Sequence, residues 1–514
     1  MISNHLNANR ATGHPAAWLA LASIVATAVF VGLRGSPACG KSPLEVLQEA
    51  TKPRFREGHT LLPLTRWGWT MPLEVRIELT EHWGYALEFG ACVSARSAAQ
   101  LDDPQSEASK LCALAAKDPK RYPLCVLTPR PFFDRDFQAA LPEETWCHDA
   151  AGRLIEDPRR CYSPEAPDAV FERAGALTAE PLKKIREKAP IAILLNGGEY
   201  ALGVHGFSGK AWGADPKVVA AKGEASWFDY ISRRKGHQER IISDAVRRAV
   251  PDRRLYVFYH TSGCPHRNRY AGWWPWAWDY QAMKPVSDIA NISIYYMQFN
   301  SGWTGDNDML TQSLNAIGRN IALGEPLSYN WLCAGWKQKN LGEKAFSDPE
   351  HYMGFLKCYY TAGMTGGVAG YFSYPPGGFA ADLGDEVPSW LRQQMVLARA
   401  QALFSHLEDL IRNGDLLPGP EVHRWSKDQP AYEFPTGDPE ARVVARRHRQ
   451  RDQWLITAWA AGGADRRVTV EIPELGSVEL LARDCGTVYR AVRKNGRPAV
   501  EQVDSDGMLP TAGL

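Results

Sequence analysis

A carboxylate at the end of an apolar run is the feature of this chain with the clearest chemical use. Residues 190–200 read PIAILLNGGEY. The apolar stretch suits a buried strand, and Glu199 then stands just past its C-terminal end. In parallel α/β barrels that end carries the active site. Gly197 and Gly198 leave room beside the acid for a ligand or a tight backbone path. A glutamate so placed can work as a general acid/base if aromatic neighbours and exclusion of water raise its pKa.

Other side chains suited to a ligand end other apolar runs. Arg66, Trp67 and Trp69 close a first run (residues 61–69, LLPLTRWGW), and Asn196 shares the fourth with Glu199. His260 closes a fifth (255–260, LYVFYH), and Tyr295 and Tyr296 fall in a sixth (292–297, ISIYYM). Asn330 and Trp331 end a seventh (326–332, PLSYNWL), and Tyr374 ends an eighth (368–374, VAGYFSY). Connecting segments add Trp273, Trp274, Trp276, Trp278, Trp303 and Trp336. The chain has 18 Trp; such an excess serves either stacking faces or core packing. A mouth of Trp, Tyr, Asn, Arg and carboxylates suits a sugar, whose C–H faces meet aromatic planes and whose hydroxyls meet amides and acids.

Cleavage of a glycosidic bond normally needs a second carboxyl. Asp306, in GWTGD over residues 302–306, is the favoured partner; Asp308, Asp279, Glu88, Asp382, Asp385 and Glu386 are the other candidates. Asp306 also reads as a solvated loop acid or as a cap for a helix over 310–323, where Asp308 is better placed to cap. Glu88 also reads as a buried partner of Arg66 inside a barrel. Arg267 and Arg269 would suit an anionic sugar, a solvated loop being the plainer reading.

The elements that must position these residues alternate. Eight apolar runs, with further members at 85–93 and 122–128, are separated by helical or helix-sized segments, the count for a (β/α)8 TIM barrel. The segment after the fifth run, 273–283, is the least helix-like. A closing helix covers 391–413, followed by a Pro/Gly-rich link. The pattern then alternates apolar and polar over 442–447, 453–458, 467–472 and 477–482, as in a small antiparallel β-sandwich domain. The expected division is a targeting segment over 1–40, a linker over 41–58, a barrel over 59–415 and a β-sandwich over 421–503.

Composition narrows the partners. The net charge is +1, so no extended basic field exists for nucleic acid. Residues 16–33 form an uncharged apolar run, followed by the small residues Ser36, Pro37 and Ala38 and by Cys39. A cleaved signal, an uncleaved membrane anchor and a lipid anchor are the three readings, and each places the folded part outside the cytoplasm. Ten Cys in an exported chain permit disulfides. Cys147 and Cys161 flank a Gly-containing turn and could bridge a hairpin, whereas Cys92, Cys125 and Cys333 read as small buried residues. There is no CxxC pair and no HExxH, so neither a metal nor another cofactor is expected.

The barrel, the carboxylate after the fourth strand and the small C-terminal β domain together resemble the (β/α)8 glycoside hydrolases. Their largest clan places Asn-Glu at the end of strand four as acid/base and a Glu at the end of strand seven as nucleophile. Here the matching residues are Asn196-Gly197-Gly198-Glu199, with two glycines intervening, and Tyr329 to Cys333 offers no carboxylate. Residues 476–491 (GSVELLARDCGTVYRA) resemble the β domains that close such enzymes. The resemblance implies an exported glycosidase acting on a polysaccharide or oligosaccharide through Glu199. Two other readings stay open: a glycan-binding barrel without the acid pair, and a polysaccharide lyase.

Overall fold

The computed structural model describes residues 41–504, apart from 68–70, 91–92, 94, 130, 157–159, 197–208, 259–279, 296–305, 337–347, 373–388 and 425. Eight parallel strands follow one another: β1 (Thr65–Trp67), β2 (Leu87–Glu88), β3 (Leu124–Leu127), β4 (Ile191–Asn196), β5 (Leu255–Phe258), β6 (Ser293–Tyr295), β7 (Ser328–Trp336) and β8 (Met364–Phe372). They pair in the orders β2-β3-β4-β5 and β1-β8-β7-β6. A parallel bridge between Leu64 and Tyr85 joins the two sets, with the Ala86 N–H donating to the Leu64 carbonyl. At the other end, the Asp288 N–H donates to the Tyr256 carbonyl at 2.8 Å, just ahead of β6. Strand pairing of β5 with β6 is not among the described residues. The order is that of a (β/α)8 barrel, as the alternating runs predict.

The two faces of this sheet are distinct. Leu124, Val126, Ile191, Leu194 and Tyr256 pack with Leu111, Leu182 and Val246. Those three partners lie on the helices Glu107–Lys117, Asp168–Lys188 and Trp227–Ala249. The alternate residues Cys125, Leu127, Ile193, Leu195 and Val257 join the main core with Tyr329 and Trp331. Strands buried on both faces read as continuous apolar runs rather than as alternation, which is why they stand out in the sequence.

Two sequence expectations shift. β7 continues to Trp336 instead of ending near Leu332, because the apolar run goes on through Cys333 and Ala334. The helix between β6 and β7 begins at Asp306 and ends at Ala322; Asp306 and Asp308 therefore both belong to its first turn, whereas the sequence places the helix at 310–323 with Asp306 as a loop acid or a cap ahead of it. Among the described residues no helix is long and apolar enough to cross a membrane, and residues 16–33 lie outside them.

The segment ahead of β1 is tied to the helix Glu408–Arg412, which follows the barrel, by Glu408, which is 3% exposed. Its carboxylate accepts from the Thr60 N–H (2.9 Å) and hydroxyl, Arg56 Nη2 (2.8 Å) and Arg412 Nε (2.7 Å). Burial pushes its pKa up, but these donors outweigh burial and hold it at about 2, below the ordinary 4.5. A depressed carboxylate pKa contributes stability that is full above about pH 4.5 and is lost as pH falls to about 2. Glu408→Gln should therefore lower the urea midpoint at neutral pH, and the gap from the wild type should close across that window.

The C-terminal strands are β9 (Gly414–Leu416), β10 (Val422–His423), β11 (Ser426–Pro430), β12 (Ala441–His448), β13 (Gln453–Ala460), β14 (Arg466–Ile472), β15 (Gly476–Ala482), β16 (Thr487–Lys494) and β17 (Arg497–Gln502). An antiparallel sheet β17-β16-β13-β12-β9 packs against the β14-β15 hairpin, with Trp454, Ile456, Val468, Val470, Val478 and Tyr489 in one core. The other face of β13 lies on the barrel helix Pro349–Ala362. Thr457 and Thr361 share a hydrogen bond of 2.7 Å, and Trp459 covers Gly354. A Cβ on Gly354 would fall 2.2 Å from Trp459 Cδ1 and 2.5 Å from the Asp484 carbonyl oxygen. Gly354→Ala should cost about 1–3 kcal/mol by overpacking. Thermal unfolding checks this against Gly213→Ala, whose Cβ meets nothing within 4 Å.

Candidate active site

Parallel pairing brings the C-terminal ends of all eight strands to one rim, and the sequence candidates sort by how the strands deliver them. On β4, Ile193 and Leu195 face the interior and Leu194 faces the helices. Asn196 follows Leu195 and by period two turns to the helix side. It is 7% exposed, and its Nδ2 donates to the Tyr256 hydroxyl at 3.1 Å. Expected as a ligand contact, Asn196 is instead part of the fastening of β4 to β5. Burial raises the Tyr256 pKa, the Asn196 hydrogen bond opposing it, so the phenol stays neutral. Tyr256 went unrecognised in the sequence, although its position in LYVFYH puts it on the helix face of a buried strand.

Arg66 is 3% exposed and forms an ion pair with Glu88. Glu88 pairs in register with Cys125 on the interior side of the sheet, and Arg76 Nη1 donates to the Glu88 carbonyl at 3.0 Å. Burial raises the Glu88 pKa, against the pull of the Arg66 and Arg76 guanidinium groups. The reading of Glu88 as a buried partner of Arg66 is the one observed, and the Arg66 guanidinium is engaged inside the barrel instead of standing open at the lip.

Asn330 and Trp331 also differ from the expected lip. Both lie in the first half of β7 and are 0% exposed. Asn330 Oδ1 accepts from the Ile292 N–H at 3.2 Å across to the chain entering β6. Trp331 belongs to the main core. The extra length of β7 moves the strand end from these residues to Trp336.

Glu199, Trp69, His260, Tyr296, Trp303 and Tyr374 lie outside the described residues, as do Asp279, Asp382, Asp385 and Glu386. Trp67 ends β1, Tyr295 ends β6 and Asp306 opens the helix Asp306–Ala322; of these three only the backbone is described. In sequence, Tyr296 directly follows β6, and Trp69, His260, Tyr374 and Glu199 follow β1, β5, β8 and β4 within three residues. Among the described residues no group of His, Cys, Asp and Glu could hold a metal ion.

No protein-family model matches the sequence, and no curated protein does. Among solved structures the chain is similar to a maltogenic α-amylase from Thermotoga neapolitana, with 9% identity, 88% of each chain covered and a TM-score of 0.36. An α-amylase from Geobacillus thermoleovorans is 11% identical over 75% of this chain and 81% of that one, with a TM-score of 0.39. A GH30 endoxylanase from Clostridium papyrosolvens is 9% identical over 86% of this chain and all of that one (100%), with a TM-score of 0.37. At these scores the likeness adds no weight to the reading of the site, and the fold assignment rests on the strand order.

Proposed function

We propose that the chain is an exported glycosidase that hydrolyses a polysaccharide or oligosaccharide, with Glu199 as general acid/base and Asp306 as the second carboxylate. The observation that carries the reading is the parallel strand order. It gathers the C-terminal ends of β1, β4, β5, β6 and β8 at one rim, and the Trp, Tyr, His and Glu candidates follow those ends in sequence. Three residues of chain reach at most about 11 Å, so Glu199 belongs to the rim where barrel chemistry is built. Trp67, Trp69, Tyr295, Tyr296, Trp303 and Tyr374 would supply sugar-stacking faces, and His260 a polar contact. Export rests on the apolar run 16–33, and no cofactor is invoked.

One observation favours the second reading, a glycan-binding barrel without turnover: β7, Ser328–Trp336, contains no carboxylate where the resembled clan has its nucleophile. Digestion of a polysaccharide panel in H2(18)O, followed by mass spectrometry, separates the possibilities. Hydrolysis places one 18O in each new reducing-end sugar. A lyase leaves an unsaturated sugar without the label, and a binding protein releases nothing. Either of the last two outcomes overturns the proposal.

A further inference from the structure

We propose that Cys147 and Cys161 form a disulfide that closes the excursion between β3 and β4 on itself, beneath the chain that follows β4. In the excursion the segment around Cys147 pairs with two others in different registers, Trp146 with Tyr162 and His148 with Leu154. The Ser163 N–H donates to the Thr145 carbonyl at 2.9 Å and the Cys147 N–H to the Cys161 carbonyl at 2.8 Å. The Cys147 carbonyl accepts instead from the Ile155 N–H at 2.9 Å, so a single backbone hydrogen bond joins Cys147 to Cys161, and both side chains enter one buried cluster. A backbone hydrogen bond between antiparallel segments holds the joined residues' Cα atoms roughly 5.5 Å apart, inside the range of about 4.4–6.8 Å that a disulfide spans.

Both residues are thiols here and both are 0% exposed. They share one apolar cluster with Trp212, Val218, Tyr230 and Ile231, and Cys147 Sγ donates to the Tyr162 carbonyl at 3.5 Å. Trp212 and Val218 belong to the helices Gly209–Ala214 and Pro216–Lys222, the first described elements after β4. Trp212 Nε1 donates to the Tyr162 carbonyl at 3.0 Å, and the His148 N–H donates to Asp215 Oδ2 at 3.0 Å. A bond between the two sulfurs would lock the excursion on which these helices rest.

The chemistry balances by thiol–disulfide exchange. One cysteine thiolate attacks a small-molecule or protein disulfide and displaces one of its thiolates. The other cysteine thiolate then attacks the mixed disulfide and displaces the second. The two cysteines lose two electrons and two protons, and the oxidant becomes two thiols. Burial raises the Cys147 pKa in the folded chain and both sulfurs are covered, so the exchange belongs to folding, before the cluster closes.

The test is to produce the full-length chain in an oxidising and in a reducing compartment, block free thiols with N-ethylmaleimide, and digest with trypsin without reductant. Cleavage after Arg153 and Arg160 separates the two cysteines. The oxidised sample should yield peptide 136–153 joined to peptide 161–173, and the reduced sample the same two peptides singly labelled. Cys147→Ser should lower the thermal midpoint of the oxidised protein by a few degrees and leave that of the reduced protein nearly unchanged. Recovery of both peptides as labelled thiols from the oxidised, folded protein overturns the inference. So does linkage of either cysteine to a different partner. The peptide result does not depend on activity, so it stands or falls apart from the proposed glycosidase.

Discussion

Glu199→Gln is expected to lower kcat on an unactivated polysaccharide by about 10²–10⁴-fold, the usual contribution of a positioned proton donor and acceptor. Glutamine keeps the size of the side chain and much of its hydrogen bonding, so KM should change little. What it cannot do is give a proton to the departing oxygen. The loss should therefore depend on the leaving group. For the step that breaks the glycosidic bond, an aryl glycoside with a strongly acidic phenol needs no proton, and its cleavage should be nearly spared. Rates measured on the two substrate types check this directly. Equal losses on both would assign Glu199 to charge stabilisation or nucleophilic attack instead of proton transfer.

The largest effect on stability is expected at Arg446. Its guanidinium is 0% exposed and donates to four carbonyls: Ile411 (2.9 Å), Gly414 (2.6 Å), Thr361 (3.2 Å) and Leu410 (3.4 Å). Thr361 lies in the last turn of the helix Pro349–Ala362, and Leu410 and Ile411 in the helix Glu408–Arg412. Helix C-termini leave carbonyls without partners and carry partial negative charge. One arginine on β12 thus satisfies two helix ends and the start of β9. Burial lowers its pKa to about 10, still high enough to keep it charged at neutral pH. Arg446→Leu would leave these carbonyls dehydrated and unpaired, at a cost of about 3–5 kcal/mol. Urea unfolding should show that loss, and Arg446→Lys, with the charge but not the fork, should recover only part of it.

Arg446 also marks the limit of what the sequence discloses. The barrel strands were legible because burial on both faces writes them as apolar runs, and the β domain because its strands alternate. Partnerships between distant residues leave no local pattern. Nothing near Arg446 points to Thr361, and nothing near Gly354 points to Trp459. Arg66 with Glu88 was within reach because a buried cation in one strand needs an anion in a neighbouring one. Strand ends were the weakest part of the reading. A few residues of extra β7 moved Asn330 and Trp331 from the rim into the body of the barrel. Asn196 stands near Glu199 in sequence, but period two along β4 sends it to the face opposite Ile193 and Leu195. Glu199 itself rests on sequence and on the direction of β4.

The central claim is that this rim hydrolyses a glycan through Glu199. The most direct test measures reducing ends released from a polysaccharide panel by the purified chain and by Glu199→Gln, with glycan binding followed in parallel. The account predicts release by the wild type, near-total loss in the variant and binding by both. Release by both proteins would remove Glu199 from the mechanism, and binding without release by either would contradict the enzyme altogether.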